Sequence, residues 1–195
     1  RYEVGDELTS AIRREDRYEA KLESMLSMLP SYTQLGMAAL LPNQQLEIVD
    51  DNANVFADNK ATSGTPNRDK ILKMAHNGKA AAVQAEEILA MSRDTCRDLI
   101  RDNELVYIYH NRIDSTGDKK DSEERVFEAV DETIQELIIL IKKLTAANAT
   151  NLIVTTDHGF IYQNRPLDES EFIDTELMGE KVSYTLGTTT ATSSS

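Results

Sequence analysis

The sequence is short of several residue types, and each shortage excludes something. In 195 residues there is one cysteine, no tryptophan and four prolines. The lone Cys96 excludes a disulfide framework and any zinc site made of cysteines alone. Long apolar runs are missing as well. Leu137–Ile141 is a run of this kind, far short of the roughly 20 residues needed to cross a bilayer. The N-terminal residues lack the charged, apolar and small-residue zones of a signal peptide, so no membrane association and a cytoplasmic setting are expected. Basic side chains are few: 21 Lys and Arg stand against 34 Asp and Glu, a formal charge of −13. Holding nucleic acid by a broad basic surface needs clustered Lys and Arg, so that class is excluded, while a local metal-lined site is not. Aromatic residues make up only 6% of the chain, yet the 40% apolar share is ordinary, so the chain is not a disordered one. At roughly 150 residues per domain, the length suits one domain with an insertion.

What is present is patterned from the start. Val4, Leu8 and Ile12 fall on one face of a helix. Leu22, Met25, Leu26 and Leu29 predict a second helix that stops at Pro30. Leu46–Val49 and Asn54–Ala57 read as strands, with Asp51-Asn52-Ala53 as the link of a hairpin. Thr62–Asn67 reads as loop, and Ile71, Leu72 and Ala75 lead into a helix that Asn77-Gly78 ends. Ala80–Met91 and Thr95–Ile100 are rich in helix formers. Leu105–Tyr109 is a strand-like apolar run. Asp121 and Glu124 resemble a capping box, and Val126, Val130, Ile134, Leu137, Ile138, Ile141 and Leu144 trace the face of a long helix behind it. Leu152–Val154 reads as another strand. Strand, helix and strand predict a parallel βαβ unit, hence an α/β class.

Both strands of that unit run into polar residues. His110 through Asp118 follow the first, and Thr155-Thr156-Asp157-His158-Gly159 follow the second. Parallel strands bring such clusters to one sheet edge, where open α/β sheets bind ligands. Asp and His together offer the oxygen and nitrogen donors that suit Zn²⁺ or Mn²⁺. Each residue also has an ordinary reading. An Asp-His pair can be plain polar loop, Asp114 can open a turn, His110 can close a strand, and His76 sits near a helix end. Thr33, after Pro30-Ser31-Tyr32, stands at the start of a short helix. It is either an N-cap or a hydroxyl nucleophile beside a phosphate.

Taken together, the pieces resemble the alkaline phosphatase superfamily and, closer up, the PglZ-type proteins of bacterial phage-defence (BREX) systems. The string from Val154 to Gln163, with Asp157-His158-Gly159 inside it, resembles the family's Asp-His-Gly metal motif. Ser31 through Pro42 resembles the segment carrying the nucleophile, with Thr33 in that place. Tyr107 through Asp114, followed by Ser115-Thr116-Gly117-Asp118, resembles the second metal segment. Phosphodiesterase relatives have histidine where Asp118 stands, so the exchange hardens that donor set.

The resemblance implies an alkaline-phosphatase-like α/β core with helices on both faces, incomplete at both ends. Residues 1–187 would be part of a PglZ domain, with a hairpin and helical insertion at 44–103 and the βαβ unit at 104–161, and 188–195 would be a disordered tail. It further implies a metal-dependent phosphatase or phosphodiesterase, with Thr33 as nucleophile and Asp157, His158, Asp114 and Asp118 as ligands. The ions would be two Zn²⁺, with Mn²⁺ or Mg²⁺ as alternatives. The substrate would be a phosphate ester, nucleic acid included, and the partners other defence-system subunits. Activity is expected of the full-length protein rather than of this piece. A scaffold subunit with a degraded site is the competing expectation. A sulfatase is disfavoured, because Cys96 lies far from the nucleophile segment.

Overall fold

A computed structural model describes residues 2–15, 18–49, 54–112 and 123–159, and of 123–128 the backbone alone. These form two compact units. One is built from Met25–Ile71 and the segment beginning at Thr155, the other from Tyr2–Ser24 and Leu72–Val154.

In the first unit, the short helix Thr33–Ala39, α2, packs on a small antiparallel sheet. Strands β1 (Leu46–Val49) and β2 (Asn54–Ala57) pair as the expected hairpin, and β3 (Lys60–Ala61) extends it. The link at 50–53 lies outside the described residues. Asp58 and Asn59 turn the chain from β2 to β3, both at positive φ, the backbone a tight two-residue hairpin turn demands. The Asp58 carboxylate also accepts from the backbone N–H groups of Gln44 and Gln45. Leu35 and Ala38 of α2 are buried against Val55, with Tyr32 and Leu46 around them. The hairpin is therefore the platform on which the Thr33 helix rests.

In the second unit, α1 (Tyr2–Arg13) is the expected amphipathic helix. Its Leu8 packs on Val130 and Ile134 of the long helix α6 (Glu123–Ala146), flanked by Val4 and Ile12. The predicted face of α6 is buried as expected at Val130, Ile134, Ile141 and Leu144. The capping box at Asp121 and Glu124, and the side chain of Val126, lie outside the described residues. Helix α3 (Thr65–Ala75) begins earlier than read, inside the expected loop. It ends as predicted, with Asn77 and Gly78 at positive φ and Gly78 N–H bonded to Lys73 C=O at 2.7 Å.

Three expectations need correction. Ala80–Met91 is not one helix: Ala80–Gln84 is strand β4, and only Ala85–Ala90 is helical, as α4. Strand β4 pairs in parallel with β5 (Leu105–Tyr109), joined through α4 and α5 (Arg93–Asp102). Leu152–Val154 is not a strand and has no ladder partner among the described residues. The α/β class and a parallel strand pair are thus present, but the partner of β5 precedes it in the chain. Leu22–Leu29 is not helical. Met25, Leu26 and Leu29 of its apolar stripe are exposed among the described residues, Leu26 by 88%, and a short helix without a packed face is unstable in water.

The core of the second unit joins Ala85 and Ile88 of α4, Cys96 of α5, and Leu140 and Leu144 of α6. Cys96 is buried there as a packing residue. Two capping contacts fix the pieces. Ser92 Oγ accepts from Thr95 N–H at 3.1 Å at the start of α5. Lys143 Nζ donates to the Leu89 and Met91 carbonyls at 2.7 and 2.6 Å, closing the end of α4. No described helix is long and apolar enough to cross a membrane.

Candidate functional site

Thr33 is the first residue of α2. The N-cap position before it belongs to Tyr32, whose side chain makes no capping bond. The capping explanation for Thr33 therefore falls, and its hydroxyl is directed elsewhere. Thr33 Oγ1 lies 3.1 Å from His158 Nε2. The loop that carries His158 is folded on itself. Thr156 Oγ1 donates to the His158 carbonyl at 2.8 Å, and His158 Nδ1 lies 3.0 Å from the Gly159 carbonyl oxygen.

That last contact sets the tautomer. A carbonyl only accepts, so Nδ1 carries a proton, and in the neutral form of the ring the lone pair is on Nε2. In that form Thr33 O–H donates to Nε2. A ring whose Nδ1–H is tied to a backbone carbonyl and whose Nε2 is a bare donor atom is also the arrangement of a metal-ligating histidine.

Asp157 completes the group. The residue is 6% exposed, and its Oδ2 is buried with no hydrogen-bond partner among the described residues. His158 Nε2 lies 3.4 Å from that oxygen. A buried carboxylate oxygen without a donor is costly. Here it faces a ring nitrogen that has a lone pair rather than a proton. Two electron-pair donors turned toward one another fit a shared cation, so the residues present suit a divalent metal.

Helix α2 reaches this loop through Gly36. A Cβ placed on Gly36 would stand 2.8 Å from the Asp157 carbonyl carbon and 3.0 Å from its Cβ, and would overlap the carbonyl oxygen. Sequence reading singled out nothing at Gly36. The available signal was a glycine inside a helical stretch, which marks close backbone approach when it has a structural reason.

Of the other expected site residues, Asp114 and Asp118 lie outside the described residues. His110, the first residue after β5, is not a bare ligand. Its Nε2 contacts Glu136 Oε2 at 2.8 Å. Arg112 Nε bonds the same oxygen at 3.1 Å, its Nη2 pairs with the other Glu136 oxygen, and its Nη1 reaches Glu132 at 2.6 Å. Burial pushes the Glu136 carboxyl up, but hydrogen bonds from His110 and Arg112, with the guanidinium charge, outweigh it and hold the carboxyl below its ordinary range. His76 lies one residue beyond α3, with its backbone carbonyl bonded to Lys79 N–H. Among the described residues, no group of three or more His, Cys, Asp or Glu side chains converges on one point.

Comparison with known proteins agrees with the resemblance carried by the Thr33 and Asp157-His158-Gly159 segments. Residues 1–195 match the family model described as the BREX system PglZ alkaline phosphatase-like domain. The chain is 48% identical over 169 residues to the alkaline phosphatase-like protein BrxZ of Escherichia coli O9:H4 (strain HS), covering 86% of this chain and 19% of that protein. It is 36% identical over 183 residues to the alkaline phosphatase-like protein PglZ of Bacillus cereus (strain H3081.97), covering 93% of this chain and 21% of that protein. The chain thus spans about a fifth of the length of these curated relatives. No solved structure matches it. With the family model matching from end to end, the chain belongs to the PglZ family of BREX alkaline phosphatase-like domains.

Proposed function

We propose that the full-length protein is a metal-dependent phosphoric-ester hydrolase, a phosphatase or phosphodiesterase, acting in a bacterial anti-phage defence system. The observation that carries this reading is the buried, donorless Asp157 Oδ2 turned toward His158 Nε2, with the Thr33 hydroxyl on the same nitrogen. Asp157 and His158 would hold one divalent cation. Asp114, together with Asp118, would supply donors for a second. Zn²⁺ suits the mixed oxygen and nitrogen donors, and Mn²⁺ or Mg²⁺ are the alternatives. When bound, such cations neutralise phosphoryl charge and lower the pKa of a nearby hydroxyl.

The chain's own residues do the rest. The start of α2 holds Thr33 Oγ1 beside His158 Nε2, whose lone pair accepts from the hydroxyl without the cation and would bind the cation with it. That oxygen would attack phosphorus, losing its proton to water as the P–O bond to the ester alcohol breaks and the alcohol leaves with a proton; water would later free the threonine, releasing phosphate from a monoester or a phosphomonoester from a diester. The protein would work in the cytoplasm with other subunits of the defence system, and nucleic acid is among the candidate esters. The test uses the full-length protein and a chromogenic phosphate ester. A chelator and Asp157→Ala should each abolish turnover, and retained turnover after either would refute the reading.

One departure favours a second reading. Asp118 stands where phosphodiesterase relatives have histidine, which is the kind of change a subunit kept as a scaffold tolerates. In that case the intact protein contains no metal by elemental analysis, and phage protection survives Asp157→Ala.

A further inference from the structure

We infer that Gly36 is a positioning residue, whose missing side chain sets the distance between the helix carrying Thr33 and the Asp157-His158 loop. Gly36 lies three residues after Thr33, almost one turn along α2, so the two share a side of the helix. The atoms a methyl group would meet are the Asp157 carbonyl group and Cβ. None is the tip of a flexible side chain that could swing aside. The opposite side of α2 is also closed, through Leu35 and Ala38 buried on Val55. The helix is held between its hairpin platform and the Asp157 backbone.

Glycine is not at this position for a special backbone angle. Gly64 and Gly78 have positive φ, whereas Gly36 is helical. Alanine is the better helix former, so local propensity alone argues against glycine here. Close approach is what favours it. The Thr33–His158 contact of 3.1 Å is near the long end for a hydroxyl bond. A methyl group that separates α2 from Asp157 by a few tenths of an ångström would break it.

The spacing claim stands on contacts alone, while its bearing on catalysis rests on the hydrolase reading above. The test therefore reads the contact directly. Full-length protein, stripped of metal with a chelator, is treated with diethyl pyrocarbonate, which acylates a free imidazole lone pair. The rate at His158 is followed by mass spectrometry of its peptide. Amide exchange of the hairpin strands is measured in parallel. Thr33→Val should speed acylation about fivefold, the factor one hydrogen bond of ordinary net strength supplies. Gly36→Ala should do the same with hairpin protection unchanged, and the double variant should add nothing further.

An unchanged rate in Gly36→Ala, or a full second increment in the double variant, overturns the inference. So does acceleration accompanied by loss of hairpin protection, which would make Gly36 a general packing residue. If the protein is a hydrolase, Gly36→Ala also lowers kcat with KM unchanged. If it is not, the acylation result still decides the spacing claim.

Discussion

Thr33 Oγ1 and His158 Nε2 lie 3.1 Å apart although 125 residues separate them in sequence. The contact makes Thr33 the hydroxyl to test first. In the full-length protein, Thr33→Val should cut hydrolysis of a chromogenic phosphate ester by on the order of 10⁶-fold, the scale of losing a nucleophile. Thr33→Ser keeps a hydroxyl at the same place and should retain a measurable share. Equal activity in all three proteins would remove Thr33 from the mechanism.

Asp157 should matter to metal binding before it matters to turnover. Its Oδ2 is buried and donorless, so Asp157→Asn replaces a charged donor with a neutral one at little cost in shape. Titration of metal-free full-length protein with Zn²⁺ should show affinity lowered by about 100-fold or more, since even partners outside the ligand set change affinity by 10–100-fold. Unchanged affinity would place the metal elsewhere.

The Glu136 network should make the end of β5 acid-sensitive. The folded carboxyl is held below its ordinary value. Its contribution is fully present above the ordinary glutamate range and is lost as pH falls through the depressed folded value. The groups facing it are His110 and Arg112 after β5, with Glu132 on the Arg112 side. Amide exchange of β5 should therefore rise on acidification below the ordinary carboxylate range, and less steeply in Glu136→Gln. Identical acid limbs in the two proteins would show that the network contributes nothing.

Ile88 is fully buried where α4 meets α5 and α6. Ile88→Ala should cost about 2–5 kcal/mol in that unit, from lost burial and the cavity left behind. Native-state exchange on α6 amides measures it. Ser92→Ala should cost about 1 kcal/mol, through the freed Thr95 N–H at the start of α5.

Much of this was readable beforehand, for local reasons. The hairpin and α6 carry their own periodicity, and Asn77-Gly78 ends α3 by backbone conformation alone. What failed was decided at long range. Ala80–Gln84 has helical propensity, but five paired positions with β5 draw it into a strand. Leu22–Leu29 has the spacing of a helix without a surface to bury it. At the site, the importance of Thr33 and Asp157-His158 came from their resemblance to known motifs, since no local pattern links positions so far apart. Gly36 escaped notice because its reason is the backbone of Asp157, which no sequence window around it contains.

The exposure of Leu152, Ile153 and Val154 has a practical side. These residues are 39%, 92% and 52% exposed, and they are apolar, β-branched at two positions and uncharged. Such a stretch, in no sheet among the described residues, is a template for pairing with another copy of itself. A piece of the protein cut to this span would therefore be prone to clump at the concentrations used for assays. Poor yield from it would reflect that stickiness rather than damage to the chemistry around Asp157.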